Sequence, residues 1–309
     1  MMKAWILNSI GNIRLSDTDV PMPGSGEVRI KVMAAGICGS DIPRIYNTGA
    51  HRMPLIPGHE FSGVVEGIGK NTPTYWMGKR VGVYPLIPCM DCEPCRSGHY
   101  EMCRNYDYVG SRRDGAFAEY VTVPATNLIE LPDAVSYEEA AMLEPMAVAV
   151  HAMRIGVTVP AMRTGLDGLD IVSTMDAKIV VCGLGTIGML LTMFLIECGF
   201  ENIYVIGNKD CQKDRVTALG IPEQNYYDSR RVNAGSKDVV SWLKDTVGGA
   251  DVFFECVGKN ECMRLGIESA APGAYCDRKR SHLRSLKTAE RSTSVVRRSR
   301  TVESDKSNL

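Results

Sequence analysis

No apolar run in these 309 residues approaches the ~20 that a membrane-spanning helix needs. The best, residues 189–200, is broken by Thr192 and Glu197. Residues 4–7 are the only apolar patch near the start, too short for the core of a secretory signal, so the expected compartment is the cytoplasm. Net charge is also nearly absent: 35 Lys and Arg face 36 Asp and Glu, leaving −1. Internal repeats are missing. What is present is a chain 45% hydrophobic and 23% charged, which can bury cores and is not globally disordered. Its length suggests roughly two domains of about 150 residues.

The near-neutral balance joins two unlike pieces. Residues 275–309 hold ten Lys and Arg against four Asp and Glu, whereas the remaining residues hold 25 against 32. The tail has no Gly and no Pro, seven Ser and no apolar run beyond Val295-Val296. Such a composition cannot bury a core and is expected to be disordered. It has charge but neither aromatic interleaving nor a recognised module, which argues against nucleic acid as a partner.

Residues 27–35, 61–68 and 115–123 read as strands between Gly- and Pro-rich turns, suggesting a barrel-like β domain. Residues 136–155 then turn helical, with Ser136 as N-cap and Glu139 three residues on. Residues 156–175 show no clear period and read as an irregular linker or insertion. From residue 176 strands and helices alternate, the grammar of a parallel sheet with helices on both faces. That sheet is expected to stop after about four strands, near residue 274, where a full dinucleotide fold has six.

Eleven cysteines are unusual without an export signal, and four of them crowd together: Cys89, Cys92, Cys95 and Cys103. Their C-x2-C-x2-C-x7-C spacing suits one tetrahedral zinc with no open position, a structural site. An iron–sulfur cluster or four ordinary buried cysteines are the alternatives. Cys38-Gly39-Ser40-Asp41, Gly58-His59-Glu60 and Glu144-Pro145 supply a looser set of ligands for zinc. Alone, that second set reads more simply as a core cysteine, a turn histidine and surface carboxylates.

The third motif is Gly183-Leu184-Gly185-Thr186-Ile187-Gly188, a G-x-G-x-x-G between an expected strand and an expected helix. It permits a tight turn, close approach to a pyrophosphate and helix–strand packing. The acid that usually reads the ribose is missing after the next strand, which ends Ile206-Gly207-Asn208-Lys209-Asp210. Lys209 could accept a 2′-phosphate or be a solvated loop residue, and Asp210 could still reach the ribose. NAD and NADP both stay open, with Asp210 favouring NAD.

Together these motifs, with residues 114–120, resemble the zinc-dependent medium-chain alcohol/polyol dehydrogenase family over about residues 3–273. The resemblance implies an α/β chain with four parts. A GroES-like zinc-binding catalytic domain would span 1–155, and the linker 156–175. A partial Rossmann domain would span 176–274, and the basic tail 275–309. Two zinc ions per chain and NAD or NADP are implied. Cys38 and His59 would hold catalytic zinc with Glu60 and Glu144; Asp41 would orient His59, and Ser40 would relay the alcohol proton. Cys89, Cys92, Cys95 and Cys103 would hold structural zinc. Gly183, Gly185, Thr186, Ile187, Gly188, Asn208 and Lys209 would bind the dinucleotide.

Residues 41–45, 49–51 and 108–115 look most like the branch acting on polyol phosphates of the galactitol 1-phosphate kind. Arg44, Arg112 and Arg113 are then candidates for a phosphate clamp, with surface arginines as the plain alternative. The implied reaction passes hydride from a polyol secondary alcohol to NAD(P), giving a ketose. The implied partners are a small-molecule polyol and a second copy of the chain, with no membrane.

Family members continue past Ala271-Pro272-Gly273 with further Rossmann units, where this chain turns Arg/Ser-rich. The expectation is a frameshift or fused reading frame near Ala274. The alternative function is accordingly an inactive remnant retaining zinc and partial nucleotide binding. Translating the coding DNA one base out should recover a Gly/Val-rich strand; no such strand in any frame contradicts the frameshift.

Overall fold

The computed structural model describes residues 1–163, 175–230 and 238–278. Its contacts divide the chain into two units, Met1–Pro145 and Met146–Leu309. Among the described residues, no helix is long and apolar enough to cross a membrane.

The first unit opens with the antiparallel pair β1 (Met2–Ser9) and β2 (Asn12–Thr18). Its main sheet contains β3 (Glu27–Gly36), β4 (Glu60–Ile68) and β5 (Arg80–Val83). A two-stranded ribbon, β6 (Leu86–Ile87) with β7 (Asp107–Tyr108), closes the cysteine-rich excursion. The main sheet is completed by β8 (Tyr120–Pro124) and β9 (Leu128–Glu130), in the order β8-β3-β4-β5-β9. Alternation along these strands buries Val28, Ile30, Phe61, Val65, Val81 and Val123 in one cluster. The strand expected over 115–123 forms only in its second half. Its first half is held by hydrogen bonds to the distant loop before His59, with the N–H groups of Gly115 and Phe117 donating to the carbonyls of Ile56 and Pro57.

Ser136 caps the helix Tyr137–Ala141 as its sequence predicts. Its Oγ accepts from the Glu139 N–H at 3.2 Å, and Glu139 accepts in return from the Ser136 N–H at 2.8 Å. The helix Leu143–Arg163 follows and corrects one expectation, because residues 156–163 continue it where an irregular linker was read. The reason is tertiary. Gly156 lies against Phe254, where a Cβ would meet the ring at 2.4 Å, so the residue that weakens the helical pattern permits the close packing. The rest of the expected linker, 164–174, lies outside the described residues.

In the second unit the parallel strands are β10 (Ile179–Cys182), β11 (Ile203–Gly207), β12 (Tyr226–Asp228), β13 (Ala250–Glu255) and β14 (Ala270–Arg278). Their order is β12-β11-β10-β13-β14. Both faces are covered. Ile179 and Val181 join a cluster with Leu191, Leu195 and Phe254, while Val180 and Cys182 join Leu243 and Phe253. Burial on two sides explains why β10 reads as an unbroken apolar run.

Five strands therefore stand where about four were expected. The tail assignment is corrected at its start, because residues 275–278 belong to β14, with Tyr275 to Arg278 paired to Val252 to Glu255. Strand pairing satisfies backbone N–H and C=O groups and tolerates polar side chains, so composition alone missed it. The remainder of the expected disordered tail, 279–309, lies outside the described residues.

Replacing Ser136 by Ala should lower the stability of the first unit by about 1 kcal/mol. Chemical unfolding measures it, and an unchanged midpoint means the cap contributes nothing.

Candidate active site and metal centres

Cys38 follows β3 and His59 precedes β4, two neighbouring strands, so the sheet brings together residues 21 positions apart in the chain. Ligand atoms of Cys38, His59 and Glu60 all lie within 4.8 Å of one another. Behind them sits Asp41, fully buried. Its Oδ2 accepts the Cys38 N–H at 3.1 Å, and its Oδ1 accepts Arg44 Nη1 at 2.6 Å and lies 3.5 Å from His59 Nδ1. Burial disfavours an imidazolium at His59, but Asp41 and Cys38 outweigh it and hold the pKa up at about 10. Burial raises the Glu60 carboxyl above its ordinary value. The Ser40 hydroxyl donates to Cys38 Sγ at 3.2 Å.

Glu144 stands outside this closest set. Its Oε1 accepts the Tyr108 hydroxyl at 3.3 Å, and Tyr108 meets the His59 ring edge-on with centroids 5.8 Å apart. Burial and then the Glu144 charge push the Tyr108 phenol upward, so it remains a donor. Tyr108 was not among the sequence candidates, since one tyrosine before a turn carries no signal of its own.

The approach of His59 depends on three glycines. Gly58 has φ +98°, and a Cβ there would meet the Phe117 ring at 2.5 Å. Added Cβ atoms at Gly110 and Gly115 would come within 2.4 and 2.1 Å of the Gly58 carbonyl oxygen. Three backbone segments pack there at a distance that no side chain permits.

The four-cysteine excursion lies between β6 and β7. Its sulfurs approach at 3.4 Å (Cys92–Cys95), 3.9 Å (Cys92–Cys103) and 4.0 Å (Cys89–Cys95). A tetrahedron with Zn–S bonds of about 2.3 Å has edges of ~3.8 Å, so this cage fits one zinc ion. The N–H of Cys92 donates to Cys89 Sγ at 3.4 Å. Backbone donors from Asp91 and Cys92 lower the Cys89 thiol to about 6, favouring the thiolate that a metal requires.

In the second unit, Gly183 turns at φ +98° directly after β10, and the helix Thr186–Glu197 begins within the motif. A Cβ on Gly188 would lie 1.9 Å from the Gly183 carbonyl, whereas one on Gly185 would meet nothing within 4 Å. The outer glycines serve packing, and the middle one leaves the open approach that a pyrophosphate needs. Thr186 and Ile187 lie in the first turn of that helix, and Asn208 and Lys209 follow β11. The residues present fit a dinucleotide.

Residues 24–133 match the alcohol dehydrogenase GroES-like domain family. Galactitol 1-phosphate 5-dehydrogenase of Escherichia coli K12 is 30% identical over 276 residues, spanning 88% of this chain and 73% of that protein. This chain belongs to the zinc-dependent medium-chain alcohol/polyol dehydrogenase family. A crystal structure of galactitol-1-phosphate dehydrogenase from Escherichia coli superposes with TM-score 0.76 at 29% identity, covering 90% of this chain and 75% of that one. A zinc-binding dehydrogenase from Sinorhizobium meliloti 1021 bound to NADP gives TM-score 0.74 at 28% identity, covering 90% and 76%. An alcohol dehydrogenase from Escherichia coli CFT073 complexed with NADH gives 0.75 at 26%, covering 90% and 75%. Dehydrogenase chemistry with zinc and a nicotinamide cofactor is therefore the family setting of these sites.

The three arginines considered for a phosphate have different surroundings. Arg44 is paired to Asp41, and Arg113 to Glu27 at 2.6 Å. Arg112 makes no ion pair among the described residues and stacks over Tyr106, 4.5 Å from the ring centroid.

Gly115→Ala should cost the dehydrogenase about 2 kcal/mol or more through the displaced Gly58 backbone. It should also lower retention of metal by Cys38, His59 and Glu60 while sparing the four-cysteine cage. Denaturant unfolding and metal content per chain check both, and equal loss at the two sites contradicts the local account.

Proposed function

We propose that this chain oxidises a secondary alcohol of a polyol or polyol phosphate to a ketose, delivering the hydride to NAD(P). The observation that carries the reading is the cysteine–histidine–glutamate set of Cys38, His59 and Glu60, with the buried Asp41 carboxylate behind it. Soft and borderline donors of this kind suit zinc, and three ligands leave a position for substrate. Zinc held there would supply Lewis-acid polarisation of a substrate hydroxyl, favouring its ionisation near neutral pH. A second ion held by Cys89, Cys92, Cys95 and Cys103 would serve structure alone.

The chain's own residues do the remaining work. Asp41 faces His59 Nδ1 at 3.5 Å and orients the ring, so that Nε2 would be left for the ion once metal displaces the proton held on the metal-free ring. Arg44 offsets the buried charge of Asp41. Ser40 would relay the proton leaving the substrate hydroxyl, its oxygen accepting that proton as its own hydrogen passes to solvent water, and Tyr108 steadies Glu144, the carboxylate available for ligand exchange. In the second unit, the open face of Gly185 and the start of the helix Thr186–Glu197 receive the pyrophosphate. A substrate phosphate would meet Arg112, because the guanidinium groups of Arg44 and Arg113 are already engaged.

The test is an NAD(P)-linked assay of the purified, zinc-loaded chain on galactitol 1-phosphate and galactitol. Turnover is expected, and it should be abolished in Cys38→Ser and His59→Ala. Arg112→Ala should raise KM for the phosphate by about ten-fold, with little effect on unphosphorylated galactitol. Equal effects on both substrates sink the phosphate contact. Zinc binding without turnover on any polyol favours the inactive-remnant alternative.

A further inference from the structure

The end of the dinucleotide site that would face the adenosine ribose departs from the NAD pattern. In folds of this kind a carboxylate beyond the second strand, roughly 20 residues past the glycine turn, accepts from the ribose 2′-hydroxyl. Such a carboxylate also repels a 2′-phosphate. Here β11 ends in Gly207, followed by Asn208 and Lys209.

The space beside Gly207 is occupied. A Cβ there would fall 2.6 Å from the Tyr226 hydroxyl and 3.0 Å from Gln212 Oε1, so no aspartate fits without displacing both. The Tyr226 hydroxyl donates to the Lys209 carbonyl at 3.2 Å. Gln212 Oε1 accepts the Asn208 N–H at 2.9 Å, and its Nε2 donates to the Leu184 carbonyl within the glycine turn at 2.9 Å. One side chain thus ties the Asn208-Lys209 segment to the loop that would hold the pyrophosphate.

The nearby carboxylates are committed. Arg230 Nη2 lies 2.5 Å from Asp210 and 2.6 Å from Asp228, a guanidinium shared by both acids. Asp210, the residue that could have reached a ribose, already has a cationic partner. Lys213 is paired to Glu223 at 2.8 Å. Lys209 is exposed and makes no ion pair among the described residues.

We infer that this chain takes NADP(H) in preference to NAD(H), with Lys209 as the residue that meets the 2′-phosphate. The inference rests on the dehydrogenase reading above and specifies its cofactor. Among the described residues, the Asp210 and Asp228 carboxylates beside this position already face Arg230, whereas a 2′-phosphate finds an ammonium group on a backbone that Tyr226 and Gln212 hold in place. Lysine acts on phosphate as a flexible point charge, so the preference is electrostatic and screened by salt.

The experiment is isothermal titration of the purified full chain with NADPH and NADH at low and high salt, repeated on Lys209→Ala. Circular dichroism verifies that the variant is folded. NADPH should bind about ten-fold tighter than NADH, with the margin shrinking as salt rises. Lys209→Ala should remove most of that margin by weakening NADPH binding far more than NADH binding. NADH binding as tightly as NADPH overturns the cofactor assignment and leaves the dehydrogenase reading standing. A margin that survives Lys209→Ala overturns the role of Lys209. Binding of neither dinucleotide overturns the dehydrogenase reading itself, and the assignment with it.

Discussion

A carboxylate with no exposure to water organises the candidate metal site of the first unit. Asp41 is tolerable in the interior only because the Cys38 N–H, the Arg44 guanidinium and the edge of His59 converge on it. Removing one partner of a buried charge typically costs 3–5 kcal/mol, so this arrangement is all-or-none. The turn 38–44 and the histidine are mutually positioned by it. Ligand geometry and local fold are one problem with one solution.

Two features far apart in the chain serve that solution. The stacked backbones of Gly58, Gly110 and Gly115 bring the residue before His59 against the loop that follows Tyr108. The four-cysteine excursion, in turn, is pinned at its base by β6 and β7, and Tyr108 is the last residue of that ribbon. A lobe that would hold metal purely for structure therefore ends on the phenol that hydrogen-bonds Glu144. The four-cysteine cluster and the Cys38, His59 and Glu60 set are thus linked through Tyr108.

Much of this was legible in the order of residues. Cysteines at short fixed spacing must share a small volume, and the glycine turn after an apolar strand has few alternatives. The capping box at Ser136 is a local signal and appears as read. What escaped was non-local. The partner of Arg44 is a residue three positions earlier, yet only the fold decides that it faces Asp41 rather than a substrate. Residues 156–163 look aperiodic until Phe254 is packed against Gly156, and residues 275–278 look like tail until β13 offers an edge. Tyr108 and Gly207 gain their meaning from what fills the space beside them.

The central claim is that one chain carries two chemically distinct metal sites, one of four sulfurs and one of mixed donors. Zinc K-edge absorption of the purified chain, with zinc counted per chain, tests it most directly. The account predicts two zinc ions with an average first shell of about 2.5 sulfurs each, the rest nitrogen or oxygen. A single zinc with four sulfurs and no lighter donors contradicts it, because Cys38, His59 and Glu60 would then hold no ion.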